Sequence, residues 1–208
     1  MVMKQEVVVI VGGGPGISAS CARVFVREGM QVAIAARNID KPVLRELEKT
    51  HGVLLVACDA ADEQSVVDLF GIVVERLGNP NLVVHNIDGR TREIFRKPIT
   101  QAAAVDVLDT LKNSVYSAFL VGQQAARCLL QNDLGERGRG SIIFTNASAA
   151  LKGYPNSGAF AAACHGKAGL AQSMARELMP QGIHVTNVPI DAAIGWTQED
   201  GSRAHRLA

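Results

Sequence analysis

Short β-branched runs alternate along the chain with longer stretches whose apolar positions recur every three or four residues, the pattern of strands alternating with amphipathic helices. The runs predict strands over residues 6–11, 31–36, 53–58, 82–85, 141–145 and 184–188, and the stretches predict helices over 16–28, 41–50, 63–77, 101–130 and 157–179. The strand segments are apolar almost throughout, which suits a parallel sheet covered on both faces. Helix ends carry their own signals: Gly29 and Gly78 as C-terminal caps, Asp62 and Thr100 as N-caps, Pro180 as a stop. Right-handed crossovers then wind these βα units into a three-layer α/β sheet of about six strands, with ligands beyond the carboxyl ends of the strands. Residues 132–140 read as a surface loop, and periodicity is lost from residue 191 onward. The expectation is one domain over residues 1–208 whose segment 191–208 is a flexible tail.

Composition narrows the function classes. With 208 residues, 21 Lys+Arg against 20 Asp+Glu and 4% aromatic residues, there is neither a basic field for a phosphate backbone nor a stacking surface for bases, which argues against a nucleic-acid partner. No apolar run approaches a membrane span, and the run at residues 7–11 is too short for a signal-peptide core. The expected location is cytoplasmic. Cys21, Cys58, Cys128 and Cys164 lie far apart without a C-x-x-C pair, which argues against zinc or a redox dithiol and for buried thiols.

Directly after the first strand stands Gly12-Gly13-Gly14-Pro15-Gly16-Ile17-Ser18, with a helical pattern behind it. Glycines there let the backbone approach a pyrophosphate, and the free amides at the helix start favour the anion. The second strand ends Ala35-Ala36-Arg37-Asn38, with no acidic residue to bind the ribose hydroxyls of NAD(H). An arginine at that point pairs with a 2′-phosphate, which favours NADP(H); a solvated arginine is the competing reading.

These residues resemble the short-chain dehydrogenase/reductase family, whose loop reads T-G-x-x-x-G-x-G. Gly12 and Gly16 fall on its first two glycines, Val11 replaces the Thr and Ser18 the last Gly. The resemblance implies a Rossmann-like fold and a cofactor site at Gly12, Gly13, Gly14, Gly16, Ile17, Arg37, Asp59 and Asn86. Asp59 stands at the adenine-contacting position, and Val84-His85-Asn86-Ile87-Asp88 resembles the family's N-N-A-G with His85 and Asp88 altered. The family's usual carboxyl-terminal strand has no counterpart in these residues.

The family also sets Asn, Ser, Tyr and Lys around the reacting carbon. Asn113 matches the helix Asn, and Ser148 is the counterpart of the Ser, with Ala147 the formal match in a gap-free reading. The segment 170–178 fixes the register, placing Phe160 at the Tyr position and Cys164 at the Lys position. Phe has no proton to exchange and Cys no ammonium. Lys167, seven residues beyond Phe160, shares nearly the same helix face, and Tyr154 and His165 are the nearby groups with suitable protons. Two readings follow. One is an NADP(H)-dependent oxidoreductase acting on a small carbonyl or alcohol with an altered proton donor. The other is a catalytically impaired nucleotide-binding or structural partner protein. Under either, the resemblance implies a homodimer through the fourth and fifth helices, with a small apolar face around Ala161, Ala168 and Ala175.

Overall fold

The computed structural model describes residues 5–197 and 202–206. Six strands, β1 (Val7–Val11), β2 (Gln31–Ala36), β3 (Leu54–Ala57), β4 (Leu82–His85), β5 (Gly140–Ala147) and β6 (Ile183–Ile190), form one sheet in the order β3-β2-β1-β4-β5-β6. Every pairing is parallel. β1 lies at the centre and its five residues are buried, as expected of a strand covered on both faces. Val8 and Ile10 pack with Ala19 and Ala22 of α1 (Ile17–Arg27) and with Leu44 and Leu47 of α2 (Pro42–His51). Val7, Val9 and Val11 face the opposite layer, built on α3 (Glu63–Arg76) and two helices from the second half of the chain. The strand order reverses between β1 and β4, so their carboxyl ends diverge and leave the crevice in which a doubly wound sheet takes its ligand.

The long helix expected over residues 101–130 is divided. After a short 3₁₀ turn, α4 (Ala104–Leu111) passes into a π-helical turn at Lys112–Tyr116 and continues as α5 (Ser117–Leu129). Ala103, not Thr100, precedes α4, without a side-chain cap. The π turn buries Ser114 and leaves Tyr116 exposed, so a period read from apolar positions does not register it. It brings Ser114 against Gly89, where φ is +76° and an added Cβ would sit 2.6 Å from the Ser114 Cβ. Asp62 does cap α3, its carboxylate accepting from the Ser65 amide at 2.7 Å.

α6 (Gly158–Leu178) follows β5. Ala161 and Ala168 are buried and Ala175 packs against the core. The small face expected to meet a partner therefore serves the subunit's own interior, and α6 turns Ala162, Gly166 and Gly169 outward instead. β5 and β6 pair as far as Ala147 and Ile190, beyond the apolar runs, because Asn146 donates from Nδ2 to the Asn187 Oδ1 at 2.8 Å. The tail also departs from expectation: β7 (Ile194–Thr197) pairs antiparallel with β8 (Arg203–Arg206). The remainder of the predicted tail, residues 198–201 and 207–208, lies outside the described residues. Among those described, no helix is long and apolar enough to cross a membrane.

Candidate functional site

The glycine loop leaves β1 under constraints that only glycine meets. Gly12 has φ +106°, and a Cβ there would collide with the Asn86 carbonyl. A Cβ on Gly13 would lie 2.7 Å from the Ile34 Cγ2, whereas one on Gly14 would point into open space. The amides of Gly12 and Gly13 both donate to the Ala35 carbonyl at 2.9 Å, tying the loop to the end of β2. α1 begins at Ile17, so its first amides, without intrahelical acceptors, face the crevice with the positive end of the helix dipole.

Ser18, at the place of the family's last glycine, makes a bond that glycine cannot. Its hydroxyl donates to the Gly12 carbonyl at 2.7 Å and accepts from Asn86 Nδ2 at 2.7 Å, while the Thr145 hydroxyl donates to Asn86 Oδ1 at 2.8 Å. This chain links β1, α1, β4 and β5 and fixes the Asn86 amide. Lys41, missed in the sequence, reaches back from the start of α2 and donates to the Gly13 carbonyl at 2.7 Å. Strand-end motifs do not point to it, because it follows Arg37 by four residues.

Two adjoining cavities of about 280 and 520 Å³ share Gly12, Gly13, Lys41, Asn86 and Asp88 and form one groove. Arg37 and Asp59 line one end of it. Both are exposed, and Asp59 accepts from the Ala61 amide at 3.0 Å. Asp40, the nearest carboxylate after Arg37, is turned onto Arg45 at 2.6 Å. Gly14, Gly16, Ile17, Asn146, Phe160, Cys164 and Lys167 line the other end, beneath Ile190, Ile194 and Trp196. Asn113 reaches the groove from the π turn. All eight expected cofactor residues therefore lie along one groove. Ser148 does not line it: Ala147 does, and the Ser148 hydroxyl lies 3.4 Å from the donating Tyr154 Oη.

His85 is fully buried at the end of β4, with Nε2 2.9 Å from the Ser117 hydroxyl, which donates to the Asn113 carbonyl at 2.6 Å. With that hydroxyl proton committed, the network assigns the proton on the ring to Nε2. Burial, and then the nearby Lys167 charge, hold the imidazole well below its ordinary pKa, so it is neutral. His85 thus braces β4 against the turn that presents Asn113.

Phe160 is buried under the Arg90 guanidinium, 4.4 Å from its ring centroid, and Arg90 pairs with Asp88 at 3.3 Å. Cys164, one turn on, is buried, and burial pushes its thiol up to about 11 against the opposing Lys167 charge. The Lys167 side chain is 1% exposed, and its ammonium donates to the carbonyls of Ile87 at 2.7 Å and Thr145 at 3.3 Å. Burial lowers it to about 8 although Cys164 and Asp88 oppose that shift. No group of His, Cys, Asp and Glu among the described residues could hold a metal ion.

Comparison with known proteins matches this architecture. The sequence model of the family described as Enoyl-(Acyl carrier protein) reductase matches residues 12–195. A 3-oxoacyl-[acyl-carrier-protein] reductase of Bos taurus is 26% identical over 186 residues, which are 88% of this chain and 74% of that protein. A short-chain dehydrogenase from Rhodopseudomonas palustris superposes with a TM-score of 0.77 at 31% identity, over 90% of this chain and 85% of that one. ElxO solved with NADPH bound shares the fold, with a TM-score of 0.79 at 20% identity over 90% of this chain and 73% of that one.

Proposed function

Because the chain belongs to the short-chain dehydrogenase/reductase family, we propose that it binds a nicotinamide dinucleotide, NADP(H) in preference to NAD(H), and transfers hydride between that cofactor and a small carbonyl or alcohol. The observation that carries this reading is the groove itself. The open face at Gly14, the first amides of α1 and the glycine-only approach at Gly12 fit a diphosphate. Two cations, Arg37 and Lys41, line the wall where a ribose 2′-phosphate would lie, and Asp40, the first carboxylate after Arg37 in the sequence, is tied to Arg45. Asp59 would sit on the adenine side, and Asn86, held by Ser18 and Thr145, would meet the nicotinamide-side ribose. When bound, the cofactor supplies or accepts the hydride. The chain's own residues orient it, exclude water beneath Ile194 and Trp196, and provide the charge and the proton. Asn113, which lines the same cavity as Arg37 and Asp59, keeps the role the family resemblance gives it, and Ser148 is assigned to the mouth beside Tyr154.

The second reading, a nucleotide-binding partner protein without turnover, is favoured by Ala147, Phe160 and Cys164 at the reacting end. For the assembly we keep a homodimer through the predicted fourth and fifth helices, which are α4–α5 and α6 here: Val105, Leu108, Tyr116 and Phe119 remain exposed along the first, and Ala162, Gly166 and Gly169 on the second. Calorimetric titration of the full chain with NADPH and NADH tests the first reading: tighter NADPH binding is expected, and binding of neither cofactor refutes it. Turnover of a carbonyl probe then separates enzyme from partner protein.

A further inference from the structure

We propose that Lys167 itself is the proton donor and acceptor of this site, taking the place that the family resemblance gives to a tyrosine. The inference rests on the oxidoreductase reading above. It follows from which protons the reacting end of the groove holds. Tyr154 points to Ser148 outside the groove, and His165 is exposed, its Nδ1 2.9 Å from the Ala161 carbonyl of its own helix. The Thr145 hydroxyl is committed to Asn86, and Cys164 holds its proton too tightly to release it near neutral pH. Lys167 lines the groove beside Phe160 and Cys164, and two of its three N–H bonds are spent on the Ile87 and Thr145 carbonyls. The third is available to a ligand in the groove.

In the reductive direction, with hydride supplied by the reduced nicotinamide, the C=O π bond breaks and its electron pair passes to oxygen. That oxygen takes a proton from Lys167, whose nitrogen keeps the N–H pair and regains a proton from solvent through the groove. Oxidation runs the same transfer backwards, with the neutral amine as base. The titratable groups that act on the amine are Cys164 on its own helix, Asp88 in the loop after β4 and His85 at the end of β4, while Arg90 in that loop lies over Phe160 and acts on Cys164. Their balance with burial leaves Lys167 near 8, matched to work on either side of neutrality.

The test compares the wild-type chain with Lys167→Arg, which keeps a cation but does not release its proton, and with Lys167→Met. NADPH is the reductant, and ethyl acetoacetate, cyclohexanone and benzaldehyde are the probes. Wild-type reduction is expected to fall above pH of about 8, and Lys167→Arg to lose about 10²- to 10⁴-fold in rate. NADPH binding by the Arg variant, read from the quenching of Trp196, the only tryptophan, should stay within a few-fold of wild type. Nitrogen-15 NMR of the lysine Nζ groups gives a readout independent of turnover: the resonance missing from Lys167→Arg should titrate near 8. A Lys167 that stays protonated beyond pH of about 10, or a pH limb that persists in Lys167→Arg, overturns the proposal. NADPH binding with no reduction of any probe overturns it and leaves the nucleotide site standing. Absence of NADPH binding overturns the oxidoreductase reading, and the role of Lys167 with it.

Discussion

Replacing Arg37 by alanine tests the part of the groove proposed to distinguish NADPH from NADH. Arg37 is exposed at the end of β2 and lines the groove beside Lys41 and Asp59. A charge-assisted hydrogen bond to phosphate contributes about 1.5 to 3 kcal/mol when sheltered, and solvent and salt reduce that at an exposed site. The expected loss on Arg37→Ala is about 1 to 2 kcal/mol, or about 5- to 30-fold in the NADPH dissociation constant. NADH, lacking the phosphate, should be affected less than about twofold. Lys41→Met supplies the contrast: its ammonium braces the Gly13 carbonyl at 2.7 Å, so its loss should weaken both cofactors together. Calorimetry at low and at moderate salt reads all four values, and the wild-type preference for NADPH should narrow as salt rises. Equal weakening of NADPH and NADH by Arg37→Ala, or none, refutes the assignment of the 2′-phosphate to this residue.

Ser18→Ala removes the bond to Gly12 and leaves the Asn86 amide without its acceptor; a loss of about 1 to 2 kcal/mol is expected, read as a lower urea midpoint together with weaker NADPH binding. His85 titrates with a depressed folded pKa, so the unfolded chain binds more protons below pH of about 6.5. Stability is therefore retained above that value and falls as the pH drops below it, by up to about 1.4 kcal/mol per pH unit from this group. Urea unfolding at successive pH values should show that slope, and His85→Gln should flatten it. Leu108→Asp places a charge on the exposed α4 face and should convert a dimer into a monomer by light scattering, with NADPH affinity unchanged.

How far the sequence led is clearest at residues that stand close together. The pattern of apolar runs was sufficient for the six parallel strands, since β-branched residues buried on both faces leave little freedom to be anything else. The glycine loop was legible because its context, strand before and helix after, is local. The cross-strand bond from Asn86 to Ser18 was not, because it joins residues 68 positions apart. Nor was the π turn, which changes the hydrogen-bond ladder and buries a serine, Ser114, rather than an apolar residue. Lys41 escaped because its role depends on how α2 turns back over the loop. The β7–β8 hairpin escaped because its two strands are only four residues long, too short for an apolar period to show in the sequence.

The reacting end of the groove obeys a single physical cause. Positions 160, 164 and 167 recur at helical spacing and share one face of α6, and all three side chains are buried. With Phe160 covered by Arg90, and Ala147 and Cys164 buried beside it, this end of the crevice is poorly solvated. Such an environment suits a phenyl ring and a neutral thiol, and it penalises an ammonium. The same desolvation that lets Phe160 and Cys164 occupy the expected Tyr and Lys positions is therefore the first cause of the lowered Lys167 pKa. Burial is offset in part by Cys164 and Asp88, which leaves the Lys167 pKa at about 8, and two backbone carbonyls, from the loop after β4 and from β5, hold the ammonium in place. Loss of one chemistry and gain of another are thus linked: a neutral polar group at Phe160 would lessen the desolvation and raise the Lys167 pKa, whereas an ammonium at position 164 would lower it further by repulsion.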